Sequence, residues 1–315
     1  MSDVSAKEKG TVLVFAVVAT VLLIELGFRL LAPAQHQFNN VLDTYPDNPR
    51  GYFDRLSTEK GPAIYGVPMN TSDGLGGRPA SKPGEPTILG LGDSQAMGQG
   101  VRYEDTLYAR LGENLGTSVR NVAVRGYDLD EVVSRYAYEA RDPGQYEWVV
   151  YALVLDDFGL DRTKHQRPES AALSGWRTRS ATINFFAHIA EQWALSEATT
   201  AAYLQSYSGE NFHQKTAQIR DLRDAVQSDD ARLLIVVWPL LYDFETYPFQ
   251  TIHDALSDLM KELEIPMVDG LSVLNERDAS SLWVHAVDHH PNEIAHRLMA
   301  DAVSDFIRKQ DSEGE

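Results

Sequence analysis

The sequence contains no cysteine among its 315 residues. This absence excludes disulfide bonds, thiolate nucleophiles and metal sites with cysteine ligands. Basic residues are also few, because 28 lysines and arginines stand against 46 aspartates and glutamates, and the formal net charge is −18. Since nucleic-acid binding requires a basic surface, this charge argues against a nucleic-acid partner. The ordinary interpretation of such acidity is solubility.

A long apolar run lies near the amino terminus, from Thr11 to Ala32. As a helix it would extend about 33 Å, which is enough to cross a bilayer. A membrane anchor is the favoured interpretation, and the alternatives are a signal peptide cleaved near Ala34 and a buried core helix. Glu25 and Arg29 interrupt the run four residues apart, so we expect them to pair on one helix face near the membrane interface. Two lysines before the run weakly favour a cytoplasmic amino terminus, with the globular part outside the cytoplasm.

Beyond residue 87 the sequence alternates between apolar runs and amphipathic patterns. Apolar runs predict buried strands at 87–91, 119–124, 148–155, 232–238 and 265–268, and amphipathic patterns predict helices at 103–115, 129–140, 214–227, 249–263 and 292–308. Strands that alternate with helices form a parallel sheet covered on both faces. The sequence therefore predicts an α/β domain.

Residues 158–213 break this alternation and are rich in aromatic side chains. The aromatic residues are Trp176, Phe185, Phe186, Trp193, Tyr203 and Tyr207. We interpret the segment as a helical insertion. It is either a cap over a functional site or an additional helical hairpin packed on the core, because aromatic residues at helical spacing are usually buried.

A candidate nucleophile follows the first strand of the α/β pattern, in the tripeptide Gly92-Asp93-Ser94. Open α/β sheets bind ligands at the carboxyl ends of their strands, which is where Ser94 is expected. A serine in such a position is more often a helix N-cap than a nucleophile. However, a serine hydroxyl becomes reactive beside a base that a carboxylate orients, and Asp288 and His290 supply these two groups far downstream.

Four blocks, taken in order, resemble those of the SGNH, or GDSL-type, hydrolase superfamily over about 87–308. They are Gly92-Asp93-Ser94, Asn121–Gly126, Val154–Asp157 and Asp288–Asn292. The apolar helix and the segment Asn70–Arg78 further resemble a membrane-anchored prokaryotic branch. The resemblance implies a three-layer α/β/α, flavodoxin-like fold with an N-terminal transmembrane helix and a helical insertion. The implied domains are a membrane anchor at 1–34, a tether at 35–86 and a catalytic domain at 87–312.

The resemblance also implies roles for individual residues. Ser94 is the expected nucleophile, His290 the base and Asp288 the carboxylate that orients it, with no cofactor. The backbone amides of Ser94 and Gly126 are expected to bind the oxyanion, together with Asp156, which stands where the family has asparagine. An ionised Asp156 would repel an oxyanion, whereas a protonated one could donate a hydrogen bond.

The acid–base block contains a second departure from the family. Asp288 lies two residues before His290, where the family usually has three, and His289 is a rival base. Together with His285 and His296 these histidines also form a possible zinc-binding cluster. Their spacing fits no established zinc motif, so we expect no metal.

The expected function is that of a serine esterase, or O-acyl hydrolase, acting on an acylated saccharide or lipid. If a sugar hydroxyl replaces water as the second nucleophile, the chain is an O-acyltransferase of an extracellular polysaccharide. A further alternative is a degenerate, non-catalytic binding module tethered to a membrane, because a fold does not determine a function.

Overall fold

A computed structural model describes residues 6–31, 63–68, 78, 84–139, 143–159, 175–177, 179–193, 197–286 and 288–314. Within these the chain forms two compact units. The helical unit comprises the described parts of 1–34 and 162–198, and the α/β unit comprises those of 35–161 and 199–315. Most of the predicted tether at 35–86 lies outside the described residues.

The elements follow one another along the chain in the predicted alternation. The strands are β1 (Ala63–Ile64), β2 (Val67–Pro68), β3 (Ile88–Gly92), β4 (Val119–Asn121), β5 (Trp148–Val154), β6 (Arg232–Trp238), β7 (Met267–Asp269), β8 (Trp283–His285) and β9 (Asp288–Pro291). The helices are α1 (Ala6–Leu31), α2 (Ser94–Met97), α3 (Leu107–Leu115), α4 (Leu129–Glu139), α5 (Ala181–Trp193), α6 (Glu197–Ser206), α7 (Gly209–Ser228), α8 (Gln250–Glu262), α9 (Gly270–Leu274) and α10 (Glu293–Gly314).

The α/β unit is built on a parallel sheet of five strands in the order β4-β3-β5-β6-β7. This is the 2-1-3-4-5 strand order of flavodoxin-like folds. All seven residues of β5 are buried, as expected for a central strand covered on both faces. The prediction of a three-layer α/β/α fold is therefore confirmed.

Two apolar clusters cover the two faces of the sheet. On one face the cluster includes side chains of α4, α7 and α8, among them Val132, Leu222 and Leu256. On the other face α3 and α10 contribute, among others, Leu111 and Met299. Full burial of each such side chain is worth roughly 1.5–3 kcal/mol, so the two clusters hold the helices on the sheet.

Helix α1 contains the predicted apolar segment of the helical unit. Its residues Thr11–Leu30 have a mean hydropathy of 2.5 and are long and apolar enough to cross a membrane, a test that a signal sequence also passes. The predicted ion pair forms within this helix, with Arg29 Nε 2.8 Å from Glu25 Oε1.

The aromatic residues of the predicted insertion separate between the two units. Tyr203 and Tyr207 are buried in the α/β unit, where Tyr207 stacks on Phe158 with ring centroids 4.4 Å apart. Trp176 and Phe186 belong to the helical unit and are exposed. Aromatic residues are therefore buried, as expected, in the part of the predicted insertion that lies after α5.

Candidate active site

Strand β3 delivers Ser94 to the carboxyl edge of the sheet through a sharp turn at Gly92. Gly92 has φ 144°, and a Cβ there would lie 2.6 Å from Ala96 Cβ and 2.8 Å from the carbonyl oxygen of Ala152. Only glycine fits this position without displacing its neighbours. Asp93 then caps helix α2, since its Oδ1 accepts from the backbone N–H of Gln95 at 2.8 Å. Ser94 is therefore the first residue of α2.

A continuous chain of hydrogen-bonding atoms links the three predicted catalytic side chains. Ser94 Oγ lies 2.9 Å from His290 Nε2, and His290 Nδ1 lies 2.5 Å from Asp288 Oδ1. The backbone N–H of His290 also donates to Asp288 Oδ1, at 3.1 Å. The fold thus brings the Ser94 hydroxyl to an imidazole and a carboxylate that follow it by nearly two hundred residues in sequence.

The two-residue spacing of the acid and the base follows from strand β9. Alternate residues of a strand point to the same face, so Asp288 and His290 share one face and His289 takes the other. His289 stacks on Trp283 with ring centroids 3.8 Å apart, and its ring edge contacts Tyr242 at 5.6 Å. Strand β9 pairs with β8, and this pairing fixes which histidine faces Ser94.

Two further residues, which the sequence did not single out, hold Asp288. The hydroxyl of Tyr65 donates to Asp288 Oδ2 at 2.8 Å, and Gln99 Nε2 lies 3.3 Å from the same oxygen. Gln99 Nε2 also lies 3.1 Å from His290 Nδ1. Asp288 is therefore held by side chains from three separate parts of the α/β unit.

Tyr65 occupies an unusual backbone conformation. It lies in the two-residue turn between β1 and β2 with φ 49°, followed by Gly66 with φ 79°. This left-handed conformation costs a residue other than glycine roughly 1–2 kcal/mol. The ring of Tyr65 stacks on His285 with centroids 4.5 Å apart. A two-residue hairpin turn favours positive φ at both central residues, so the turn accounts for this conformation and brings the Tyr65 hydroxyl to Asp288.

The environment of Asp288 and His290 favours the charged form of each. Burial alone would raise the pKa of Asp288, but the charge of His290 and hydrogen bonds from His290 and Tyr65 bring it below its ordinary value. Burial lowers the pKa of His290, yet the charge and hydrogen bond of Asp288, with a contribution from Asp93, raise it above the ordinary 6.5. This pair is suited to stabilise an imidazolium.

A separate cluster of three carboxylates lies in the site. Carboxylate oxygens of Asp93, Asp156 and Asp157 lie within 4.8 Å of one another. Burial raises the pKa of Asp93 to about 6, and the nearby charge of Asp156 acts in the same direction. Burial and the charges of Asp93 and Asp156 raise the pKa of Asp157 well above its ordinary value. Oxygen ligands of this kind suit a hard cation, but shared protons explain them equally well.

The predicted oxyanion residues lie at the ends of neighbouring strands. Gly126 is exposed in a turn with φ 81°, and this turn is held beside β3 because Val124 donates its N–H to the carbonyl of Gly92 at 3.1 Å. Ser94 belongs to the first turn of α2, where N–H groups lack acceptors within the helix. Asp156 is partly exposed in the turn after β5, whereas Asp157 is buried and accepts from the Tyr151 hydroxyl at 2.7 Å.

Arg78 supports the loop behind the candidate nucleophile. Its buried guanidinium donates from Nη1 to the carbonyl of Met97 at 2.9 Å, and its backbone N–H donates to the carbonyl of Asn121 at 2.9 Å. Carbonyls at the end of a helix lack partners within the helix, and Arg78 satisfies the one at the end of α2. Arg78 is the described residue of the segment Asn70–Arg78.

The histidines considered as zinc ligands face different partners. His296 Nδ1 accepts from the backbone N–H of Leu107 at 3.0 Å, and burial lowers the pKa of His296 to about 3. It therefore caps α3 as a neutral ring. His285 stacks on Tyr65 and His289 on Trp283.

The sequence matches no protein-family profile and no curated protein. Comparison with solved structures finds a member of the lipolytic protein G-D-S-L family from Veillonella parvula, with a TM-score of 0.42 and 15% identity over 69% of this chain and 96% of that one. A catalytic mutant of an acetylxylan esterase from Geobacillus stearothermophilus gives a TM-score of 0.44 and 14% identity over 69% and 91%.

A carbohydrate esterase family 2 enzyme with a carbohydrate-binding domain, from Corynascus thermopiles, is also similar. Its TM-score is 0.44 and its identity 16%, over 75% of this chain and 69% of that one. None of these similarities assigns an activity to this chain, so its function is inferred from the geometry of its own site.

Proposed function

We propose that the α/β unit is a serine ester hydrolase of the SGNH type. The observation that carries this proposal is the hydrogen-bonded chain from Ser94 Oγ through His290 to Asp288 Oδ1, with distances of 2.9 and 2.5 Å. A hydroxyl, an imidazole and a carboxylate in this order form the arrangement that activates a serine nucleophile.

The reaction runs in two stages. Ser94 Oγ attacks the carbonyl carbon of an ester while its proton passes to His290 Nε2. The imidazolium then returns this proton to the leaving alcohol, which departs as the acyl–oxygen bond of the substrate breaks. Water attacks the acyl-serine with His290 again accepting a proton, and the carboxylic acid and free Ser94 are regenerated. Throughout, Asp288 holds the imidazole and stabilises its charged form.

The developing oxyanion is to be stabilised by the amides of Ser94 and Gly126. Asp156 assists as a donor only when it carries a proton, because a carboxylate has no hydrogen to donate. A missing oxyanion donor costs about a hundred- to a thousandfold in rate. We therefore propose a slow hydrolase, whose rate is limited at Asp156 rather than at the nucleophile.

The proposed substrate is an acyl ester of a saccharide or a lipid, which the chain meets at a membrane with α1 as its anchor and the α/β unit on the extracytoplasmic side. A saccharide ester is the first class to test. With a sugar hydroxyl in place of water, the same acyl-serine would make the chain an O-acyltransferase.

A non-catalytic binding module is the second candidate, and the carboxylate of Asp156 at the oxyanion position favours it. The experiment that separates the two uses the full chain in detergent, with a short-chain aryl ester and a fluorophosphonate probe. The wild type is expected to turn over the ester and to be labelled, and Ser94→Ala is expected to lose roughly four to six orders of magnitude in kcat and all labelling.

The matched control for Ser94→Ala is Ser228→Ala, which removes an exposed hydroxyl bonded to the carbonyl of Ala225. This control is expected to keep wild-type turnover and labelling. Equal turnover by Ser94→Ala and wild type would reject Ser94 as the nucleophile. A wild type that neither turns over the ester nor reacts with the probe would favour the binding module.

A further inference from the structure

A carboxylate of the apolar helix α1 holds the beginning of α5. Glu25 accepts hydrogen bonds from the backbone N–H groups of Ala181 and Thr182, at 2.8 and 3.2 Å, and from the Ser180 hydroxyl at 2.8 Å. The first N–H groups of a helix lack acceptors of their own and carry partial positive charge, so they are suitable partners for this carboxylate. A charged residue within an apolar segment is tolerated when it finds such donors.

Two more contacts join α1 to the segment around α5. Arg29 Nη2 donates to the carbonyl of Arg179 at 2.7 Å. The ring of Phe28 lies 4.9 Å from that of Phe185 and 5.6 Å from that of Phe186, measured between centroids. Helix α5 is therefore fixed to α1 both by hydrogen bonds and by aromatic packing.

The position of Glu25 gives the depth of this contact along α1. Glu25 lies five residues before Leu30, the end of the apolar segment, and this separation corresponds to about 7.5 Å of helix. A segment of this length matches the hydrocarbon core of a bilayer, about 30 Å thick. If α1 spans a membrane, the amino-terminal end of α5 lies close to the boundary between hydrocarbon and headgroups.

Large aromatic side chains near this contact remain uncovered in the helical unit. Trp176 is 59% exposed and Phe186 is 57% exposed. Side chains along α1 are exposed to a similar degree, including Phe15 and Leu22. Tryptophan and phenylalanine at the level of the headgroups are typical of helices that lie in a membrane interface.

We propose that α5 and the preceding residue Trp176 form a second membrane contact, in which Trp176 and Phe186 enter the lipid interface beside α1. The occupant of this surface is phospholipid. In a membrane, lipid surrounds the apolar segment of α1, and Trp176 and Phe186 lie at the level where that segment ends. The proposal rests on α1 being a membrane anchor. Glu25 then serves to dock an interfacial helix on a transmembrane helix.

The absence of cysteine from the chain allows a direct test by spin labelling. Single variants Trp176→Cys and Phe186→Cys of the full chain are labelled and reconstituted into vesicles of phosphatidylcholine and phosphatidylglycerol. The accessibility of each label to oxygen, which partitions into lipid, is compared with its accessibility to a water-soluble nickel chelate. The expected result at both positions is a shift of the ratio toward oxygen.

Leu22→Cys in α1 is the lipid reference, and Asp258→Cys, whose native side chain is 80% exposed, is the water reference. Labels at 176 and 186 that behave like the one at 258 would overturn the proposal. Low accessibility to both reagents would overturn it as well, since a protein surface would then cover the patch. A label at 22 that is exposed to water would remove the anchor on which the proposal rests.

The role of Glu25 is tested in the Phe186→Cys background. Glu25→Ala removes the acceptor for α5 and is expected to increase the mobility of the label in its spectrum. Glu25→Gln keeps a carbonyl acceptor and is expected to give a smaller increase. Unchanged mobility in Glu25→Ala would overturn the docking role.

Discussion

The site holds Asp288 beside His290 and a separate cluster of Asp93, Asp156 and Asp157, and the pKa of Asp288 moves in the opposite direction to the pKa values of Asp93 and Asp157. On the acid–base side, the pKa of Asp288 is lowered, although burial opposes the shift. In the cluster of aspartates, burial and neighbouring acidic groups raise the pKa values of Asp93 and Asp157. The two sides differ in the charge nearest to each carboxylate, which is that of His290 for Asp288 and that of other aspartates for Asp93 and Asp157.

This difference indicates which carboxylate of the site stays ionised and which carboxylates can carry a proton. A carboxylate with donors and a cationic partner stays ionised and can orient a base. Carboxylates that face one another share protons, and a protonated member can donate a hydrogen bond. Burial is common to both sides, so the partners decide which form each group takes.

On the acid–base side, Asp288→Asn is expected to reduce activity most. The amide keeps the shape of the side chain but supplies no charge and favours the wrong imidazole tautomer, so we expect kcat to fall by about four orders of magnitude. The measurement is steady-state hydrolysis of an aryl ester. Asp305→Asn, at an exposed position of α10, is the control and should leave kcat unchanged. A loss of less than tenfold in Asp288→Asn would contradict the assigned role.

The cluster of aspartates is tested by Asp156→Asn, which we expect to increase activity. The change replaces the carboxyl group with an amide that always carries N–H donors at the proposed oxyanion position, and we expect kcat to rise by roughly ten- to a hundredfold. Asp157→Asn is the matched control. Because the raised pKa of Asp157 already favours its neutral form, its replacement should give no such gain. A loss of activity in Asp156→Asn would mean that Asp156 acts in another role.

Tyr65→Phe removes a hydroxyl that donates to Asp288 and tests whether this donor helps to position the carboxylate. Hydrogen bonds to charged groups contribute about 1.5–3 kcal/mol, so a partial loss of orientation should lower kcat roughly tenfold with KM unchanged. The control is Tyr103→Phe, since Tyr103 is a partly buried tyrosine that forms a cation–π contact with Arg78 rather than contacting the triad. If both variants lower kcat equally, or if only KM changes, Tyr65 does not position Asp288.

The smallest expected effect is on pH dependence. His290 must be neutral to accept the Ser94 proton, and its pKa is raised, so the acid limb of kcat/KM should lie above pH 6.5. Asp93 contributes to this increase, and Asp93→Asn should therefore move the limb to lower pH. If the acid limb of kcat/KM does not move in Asp93→Asn, Asp93 does not influence the pKa of His290, which contradicts this prediction.

The same variant should change the pH dependence of folding stability. The raised pKa of Asp93 means that the folded chain binds a proton between pH 3.8 and about 6 that the unfolded chain has released. The stability associated with this proton is present at acid pH and is lost as pH rises through about 6. Asp93→Asn should remove this component, which thermal unfolding at pH 5 and pH 8 would measure.

The sequence was sufficient to predict the strands, because each has a local signal, and it named the three side chains that the structure brings within hydrogen-bonding distance. The run at 148–155 is apolar throughout, and the structure has β5 at Trp148–Val154. The predicted strand at 119–124 ends earlier, at Asn121, although the backbone N–H groups of Val122 and Val124 still donate to β3. The predicted helix at 103–115 begins at Leu107, because Thr106 caps it.

Residues whose roles depend on distant partners could not be predicted. Tyr65 contacts Asp288 across 223 residues, and its local sequence indicates only a turn. Glu25 contacts Ser180 across 155 residues, and its local sequence indicates only a pair with Arg29. The pKa values of Asp93 and Asp157 are raised because the ends of β3 and β5 bring these aspartates close together. The identity of the side chains alone does not predict this proximity.

The contact between Tyr65 and Asp288 has a practical consequence for shortened versions of the chain. A version that begins before Ala63 retains the β1–β2 hairpin and with it the hydroxyl that steadies Asp288. A version that begins after Pro68 keeps all five strands of the parallel sheet but discards this hydroxyl. We expect such a shortened version to hydrolyse esters more slowly for want of this hydrogen bond, a deficit that resembles a requirement for the membrane segment.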